Sequence, residues 1–125
     1  MNPRTFHTEP GSPLQVQCLR LRGELDLTDL TKIAALLSEY MTQGLVLVVL
    51  DLSHVNHIHL AGLPMLVNRA QRMREYGGDL KLAGASEYVK HLFELAGYIS
   101  QFDFCANEDD AVRRISGDRP PRKPL

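Results

Sequence analysis

The chain has 125 residues, the length of one ordinary domain, and a chain of this size can bury a core without disulfides or metal. Its formal net charge of −1 provides no global basic field, which argues against nucleic acid or anionic lipid as a partner. No apolar run approaches the roughly 20 residues that span a bilayer, and the N-terminal residues lack the apolar stretch of a signal peptide. We therefore predict a cytoplasmic protein that does not insert directly into a membrane.

The N-terminal part of the chain predicts two strands. A short edge strand fits residues 5–8, within an N-terminal segment that we place at residues 1–13. Over residues 14–21 apolar and polar residues alternate, but the phase changes after Cys18. One bulge in the strand, or burial of its second half on both faces, would produce such a change. Cys18 and Cys105 are distant in the sequence and have apolar neighbours, which predicts reduced core thiols rather than a disulfide.

The rest of the chain alternates between helical and strand patterns. Residues 28–41 carry an apolar stripe at helical spacing, with Thr28 as the predicted N-cap and Gly44 as the stop. The run 45–50 is continuously apolar, as in a strand buried on both faces. A second helix is predicted from about residue 61 to the glycine pair that follows Tyr76. Strand, helix, strand and helix are then predicted at 79–83, 86–96 with Ser86 as N-cap, 98–105 and 107–115.

Strands that alternate with helices of this length predict crossover connections and a largely parallel sheet. We predict an α/β domain at residues 14–115, in which a small mixed, largely parallel sheet of four to five strands is flanked by about four helices. The N-terminal strands would pair as an antiparallel hairpin at one edge. Residues 116–125 are basic and rich in proline, which predicts a disordered tail.

The stretch HVNHIHLAGLPML, residues 54–66, contains three histidines that suggest a metal site or a pH sensor. An extended chain would place His57 and His59 on one side, where His54 could join them. A tight metal site needs about three or four ligands, and only Asp51 lies nearby. We favour solvated histidines, with no metal and no cofactor, and the pH-sensing alternative has no positive support.

The sequence contains none of the familiar catalytic patterns. Asp51 follows a buried strand, as the phosphorylated aspartate of a receiver domain does, but the strand order and the missing lysine argue against that family. We interpret Asp51 as a turn residue that accepts backbone hydrogen bonds. Phosphate-binding glycine loops, nucleophile elbows and paired carboxylates are absent from the sequence. We therefore predict that the protein is not an enzyme.

Three segments, in this order and spacing, resemble the STAS domain: CLRLRGELDLTDLTKIAALL, LVLVVLDLSHVNHIHLAGLPMLV and REYGGDLKLAGASEYVKHLFELAGYISQF. That family includes bacterial anti-sigma factor antagonists, stressosome scaffold domains and the cytoplasmic tails of sulfate transporters. The resemblance covers about residues 14–115. It implies a small mixed sheet flanked by helices, in agreement with the periodicity.

One site departs from the pattern of the phosphoregulated antagonists. In those proteins the place of His59, Leu60, Ala61 and Gly62 reads Asp-Ser-Ser-Gly, and a partner kinase phosphorylates the first serine. Leu60 occupies the phosphoacceptor position here, and leucine has no hydroxyl to modify. We disfavour relocation of the modification, because turn formation and capping explain the hydroxyls of Ser53, Thr28 and Thr31.

The resemblance implies a docking surface at the start of the second helix. On a helical projection Met65 falls opposite the apolar stripe, and with Leu60 it would form a small apolar patch. An apolar centre with a polar rim is typical of docking sites. The predicted partner-binding residues are His57, His59, Leu60, Ala61, Gly62, Met65, Arg69 and Arg72.

The partner that the resemblance implies is a regulatory protein, such as a serine kinase or an anti-sigma factor. The chain would bind it without being phosphorylated at the usual position. Two alternatives stay open. The chain could be the STAS subunit of a phospholipid-transport ABC complex, or a self-assembling, stressosome-like scaffold subunit, for which a homodimer is an option.

Overall fold

The computed structural model of the chain describes residues 4–6 and 15–117. Along these residues five strands and four α-helices follow one another. The strands are β1 (Arg4–Phe6), β2 (Val16–Leu25), β3 (Leu47–Ile58), β4 (Asp79–Ala83) and β5 (Phe104–Cys105). The helices are α1 (Leu27–Thr42), α2 (Leu63–Glu75), α3 (Glu87–Leu95) and α4 (Glu108–Gly117), and 3-10 turns form at Leu60–Gly62 and Ile99–Gln101.

The five strands form one sheet in the order β1-β2-β3-β4-β5. Strand β1 pairs with β2 in the antiparallel sense, and the other neighbours are parallel. The predicted α/β class, the largely parallel sheet and the antiparallel pairing at one edge are therefore confirmed. Because β2, β3 and β4 are parallel, their carboxyl ends meet at one end of the sheet, and α1, α2 and α3 begin there.

Several predicted strand features differ from the structure. The strand predicted at residues 45–50 continues to Ile58, and β2 continues to Leu25. The strand predicted over residues 98–105 is reduced to two residues, because the amide of Tyr98 bonds to Phe93 O at 2.8 Å and that of Gln101 bonds to Tyr98 O at 3.0 Å, which closes turns. The bulge predicted for β2 lies in β3 instead. Between two successive pairs, Arg20↔Asp51 and Arg22↔His54, β3 advances one residue more than β2.

The phase change in β2 comes from burial on both faces of its first half, and not of its second half as we predicted. Val16 and Cys18 pack toward α4, and Leu19 and Leu21 pack toward the other three helices. The larger core therefore lies between the sheet and α1, α2 and α3, and the smaller one lies under α4. The stripe predicted for α2 is confirmed as buried in the larger core: Leu63, Leu66, Val67, Ala70 and Met73.

Capping side chains fix the starts of α1 and α3. Asp26, not the predicted Thr28, caps α1: Asp29 N–H donates to Asp26 Oδ1 at 2.8 Å, and Asp26 N–H donates to Asp29 Oδ2 at 3.1 Å. The bond from the Asp29 backbone lowers the pKa of the Asp26 carboxyl. Ser86 caps α3, as predicted, by accepting from Val89 N–H at 3.1 Å.

The smaller core contains both cysteines. Cys18 and Cys105 are free and buried, as predicted. Burial, with a smaller contribution from the Glu108 carboxylate, raises the pKa of the Cys18 thiol to about 12. Burial also raises the pKa of Cys105. Both thiols are therefore held in the protonated, unreactive form.

One ion pair ties α4 to β2, and a second group of charged side chains surrounds Lys81 on β4. Arg20 on β2 makes a bidentate pair with Glu108, with N–O distances of 3.0 and 2.9 Å. Lys81, which is 6% exposed, lies between the carboxylates of Asp79 and Asp103 at 3.2 and 3.0 Å. Burial lowers the pKa of Lys81, but its hydrogen bond to Asp103 and the charge of Asp79 outweigh that effect and raise it overall.

The limits of the predicted domain are only partly visible. Helix α4 continues to Gly117, two residues into the segment that we predicted as a tail from residue 116. Residues 118–125 lie outside the described part of the chain, so the disordered tail stays a prediction. In the described residues, no helix has the length and apolar character needed to cross a bilayer.

Candidate functional site

The predicted site lies where β3 passes into α2, at the carboxyl end of the sheet. His59 N–H donates to Leu25 O at 2.9 Å, which ties the chain leaving β3 to the end of β2. His59 Nδ1 then accepts from Ala61 N–H at 3.2 Å, and Gly62 N–H donates to His59 O at 3.0 Å. His59 is therefore the cap of the turn at Leu60–Gly62, and its side chain is exposed to solvent, as predicted.

Gly62 allows this turn to press against α1. A Cβ added at Gly62 would lie 2.3 Å from Leu30 Cδ1 and 3.0 Å from Leu30 Cβ. Leu30 is itself fully buried in the larger core, so it has little room to move. The absence of a side chain at Gly62 thus fixes the turn beside the first residues of α1.

Two leucines project from this fixed backbone. Leu60 is 39% exposed, and Leu27, the first residue of α1, is 45% exposed. Ala61 is exposed beside Leu60. Both leucines stand on backbone that is held by capping hydrogen bonds, so binding a partner requires little further ordering of that backbone.

Tyr88 provides a third exposed apolar group at the same end. It stands on the first turn of α3, is 51% exposed and bonds through its hydroxyl to His57 Nδ1 at 2.9 Å. The two rings are stacked, with centroids 5.9 Å apart. We call the exposed groups at this end, Leu27, Leu60, Ala61 and Tyr88, the carboxyl-end patch.

Met65 and Arg69 do not lie on a free face of α2, where the helical projection placed Met65, but follow the seam between α2 and α1. Arg72 is exposed. Met65 is partly buried, and its sulfur lies 3.9 Å from the Thr31 hydroxyl. Arg69 Nε donates to Ala34 O at 3.2 Å and to Ser38 Oγ at 2.8 Å.

Arg72 lies still farther from the turn. At 1.5 Å per residue, the nine residues from Leu63 to Arg72 correspond to about 14 Å of helix. The structure thus brings His59, Leu60, Ala61 and Gly62 together, places His57 and Met65 beside them, and leaves Arg69 and Arg72 elsewhere. The projection failed because the position of α1, which decides what that face of α2 meets, is not encoded in α2 alone.

Sequence reasoning missed Leu27 and Tyr88. Tyr88 lies outside the apolar stripe of α3, which is Val89, Leu92 and Phe93. An aromatic residue on the polar face of a short amphipathic helix is a usable signal for a surface contact. Leu27 carried a weaker signal, an apolar residue enclosed by the two aspartates of a capping box.

The histidines do not converge on a metal. His57 bonds to Tyr88, His59 caps its turn, and His54 is exposed on β3. In the part of the chain that the structure describes, no group of three or more metal-ligating side chains comes together. Asp51 lies within β3 and not in a turn, so that part of the prediction is wrong. It accepts from both the backbone N–H and the hydroxyl of Ser53, at 3.0 and 2.7 Å, as expected of a residue that serves the local backbone.

Comparisons with known proteins agree with the fold of this chain. A model of the STAS domain family matches residues 12–111 of the chain. A Bordetella bronchiseptica protein named "Putative anti-sigma factor antagonist BtrV" is 29% identical over 92 residues, which cover 74% of this chain and 79% of that protein.

Two solved structures share the fold. The anti-sigma factor antagonist SpoIIAA in its unphosphorylated form superposes with a TM-score of 0.74 at 20% identity, covering 93% of this chain and 97% of that chain. The Bacillus cell fate determinant SpoIIAA in its phosphorylated form superposes with a TM-score of 0.69 at 19% identity, covering 91% and 99%.

Proposed function

Because this chain belongs to the STAS domain family, we propose that it acts in the cytoplasm as an anti-sigma factor antagonist. It would work by binding a regulatory protein, a serine kinase or an anti-sigma factor, and not by catalysis. The docking site would be the carboxyl-end patch, with His57 and Met65 at its border. His59 and Gly62 would hold the turn in place, and Arg69 and Arg72 would take no direct part.

The observation that carries the proposal is the exposed Leu60 on a backbone that is fixed on both sides. Burying a fully exposed leucine side chain contributes about 1.5–3 kcal/mol, so burying the 39% of Leu60 that is exposed would contribute about 0.6–1.2 kcal/mol. A few anchors of this kind supply most of the affinity of an interface. Leu27 and Tyr88 stand at the same end of the sheet and enlarge the apolar area. This arrangement supports docking of a protein with an apolar contact surface.

Leu60 also determines how the site would be regulated. In the proteins with Asp-Ser-Ser-Gly, a phosphate at this position adds up to about two negative charges at the contact surface. Leu60 cannot receive that phosphate, and an apolar side chain resembles the unphosphorylated state in charge. We infer that this chain is permanently competent to bind and that its partner, not its own modification, is regulated.

The experiment is affinity capture from native lysate with three versions of the full chain: wild type, Leu60→Asp and Leu95→Asp. Leu95 is the matched control, because it is 62% exposed and stands at the opposite end of the molecule. We expect a serine kinase or anti-sigma factor to be retained by wild type and by Leu95→Asp. Binding to Leu60→Asp should weaken by about thirtyfold, which corresponds to about 2 kcal/mol.

Three results would contradict the proposal. Equal retention by wild type and Leu60→Asp would show that the carboxyl-end patch is not the docking site. Recovery of a transport ATPase with its permease would identify the chain as a transport subunit. Recovery of only further copies of this chain, with a concentration-dependent mass in solution, would identify it as a scaffold subunit.

A further inference from the structure

A cavity opens between the C-terminal parts of α1 and α2, at the end of the molecule opposite the carboxyl-end patch. Its volume is about 430 Å³, and its walls include Ser38, Met41, Val46, Arg72 and Tyr76. Sites for small molecules usually measure about 300–1,000 Å³ and combine apolar walls with a few polar groups. The proposed docking role makes no use of this cavity.

The guanidinium of Arg72 is available to a ligand. Its guanidinium makes no hydrogen bond or ion pair within residues 4–6 and 15–117, whereas Arg69, one turn earlier, is bonded to α1. A guanidinium offers five N–H donors in a plane that matches a carboxylate. Ser38 adds a hydroxyl: its oxygen accepts from Arg69, which leaves the hydroxyl proton for a ligand.

The two helix ends at the cavity do not repel an anion strongly. A helix C-terminus carries partial negative charge on its free carbonyls. Here the N–H groups of residues 43–45 donate to the carbonyls of Tyr40 and Met41. Those of residues 76–78 donate to the carbonyls of residues 72–74. Backbone N–H groups of the chain therefore satisfy the last carbonyls of both helices. Among the wall residues named above, Arg72 is the one that carries a full charge.

The remaining walls are apolar. Val46 is almost fully buried, Met41 is partly buried against the larger core, and Tyr76 is 57% exposed with its ring at the rim. We propose that this cavity binds a small organic carboxylate with an apolar body. Arg72 and Ser38 hold the carboxylate, and Met41, Val46 and the Tyr76 ring contact the body.

The test is an NMR titration of the ¹⁵N-labelled full chain with 3-phenylpropionate and, as the neutral match, 3-phenylpropionamide. We expect saturable shifts of the amide signals of Ser38, Gly44 and Tyr76. The acid should bind about threefold to fivefold more tightly than the amide, which is the contribution of one exposed ion pair. Arg72→Gln should abolish this preference, and Arg22→Gln, the loss of an exposed arginine on β2, should leave it unchanged.

The proposal is overturned if neither compound shifts the cavity signals in a saturable way. It is equally overturned if acid and amide bind alike to the wild type, or if the preference for the acid survives in Arg72→Gln. Leu60→Asp should bind 3-phenylpropionate as the wild type does, so failure of this site and failure of the docking site are separate results.

Discussion

The two ends of the sheet both expose large apolar side chains, but they present them differently. At the carboxyl end, Leu27, Leu60 and Tyr88 stand on the first residues of helices or turns whose backbone is capped by Asp26, His59 and Ser86. At the amino end the exposed apolar residues stand where helices finish or just beyond: Tyr76, Leu95 and Ile99. Of these, Tyr76 lines the cavity. Exposed area alone therefore does not define a role.

What separates the two ends is shape. Projecting anchors on a fixed backbone suit a protein surface, whereas a concave wall with one free guanidinium suits a small ligand. The predictions below test whether each end is as rigid and as specialised as this comparison implies.

The largest effect is expected from adding a methyl group where each end is most tightly packed. At the amino end a Cβ on Gly78 would lie 1.9 Å from Val46 O, a backbone atom, whereas the Cβ on Gly62 would meet the side chain of Leu30. Overpacking costs about 1–3 kcal/mol and occasionally more. We expect Gly78→Ala to lose about 4 kcal/mol and Gly62→Ala about 2 kcal/mol in urea unfolding.

Gly117→Ala is the control for this pair, since no atom of residues 4–6 and 15–117 lies within 4 Å of its added Cβ. It should change the free energy of unfolding by less than about 0.5 kcal/mol. A Gly62→Ala variant as stable as the wild type would show that the turn at the carboxyl end is not pressed against α1.

The next prediction tests whether the turn at the carboxyl end is part of the interface. Replacing His59, Leu60 and Ala61 together by Asp, Ser and Ser rebuilds the phosphoacceptor sequence ahead of Gly62. With the partner kinase and ATP, we expect phosphate on residue 60 by mass spectrometry, and about tenfold weaker binding once it is modified. Binding that is unchanged by a confirmed phosphate would separate this turn from the interface.

A smaller effect concerns the cap beneath Leu27. Because the pKa of Asp26 is lowered on folding, its carboxylate contributes stability above its ordinary value of 3.8 that is lost as the pH falls through the lowered pKa. We expect Asp26→Asn to be less stable than the wild type at about pH 7, and the two urea midpoints to converge below 3.8. A difference that persists at about pH 2 would contradict this cap.

The last prediction is that an alkylating reagent does not modify the cysteines of the folded chain. With a pKa of about 12, the Cys18 thiol should not react with iodoacetamide at about pH 8 while the chain is folded. Mass spectrometry should find both thiols unmodified, and both should be alkylated in urea. Rapid alkylation of the folded chain would mean that α4 lifts from the sheet, so neither end could be treated as rigid.

Much of the fold could be predicted because its signals are local. The buried stripe of α2 and the cap at Ser86 depend on spacing within one segment, and both predictions are confirmed. The extra residues in β3 could not be predicted, since they exist only relative to β2. For the same reason, the sequence of α2 alone did not predict which of Met65, Arg69 and Arg72 would face α1.

The candidate site was predictable only in its centre. His59, Leu60, Ala61 and Gly62 are consecutive, so any fold keeps them together. Leu27 and Tyr88 join them through the parallel sheet, which brings separate helix starts to one end. The sequence allows the residues of such a site to be predicted within each segment, but the packing of the segments determines which of them come together.

The edges of the sheet affect how the protein behaves at high concentration. The outermost strands, β1 and β5, have three and two residues, so they present very little free backbone to a strand from another molecule. Long exposed edges are where chains join into extended sheets and aggregate. Short outer strands are one of the ways in which natural proteins limit such pairing.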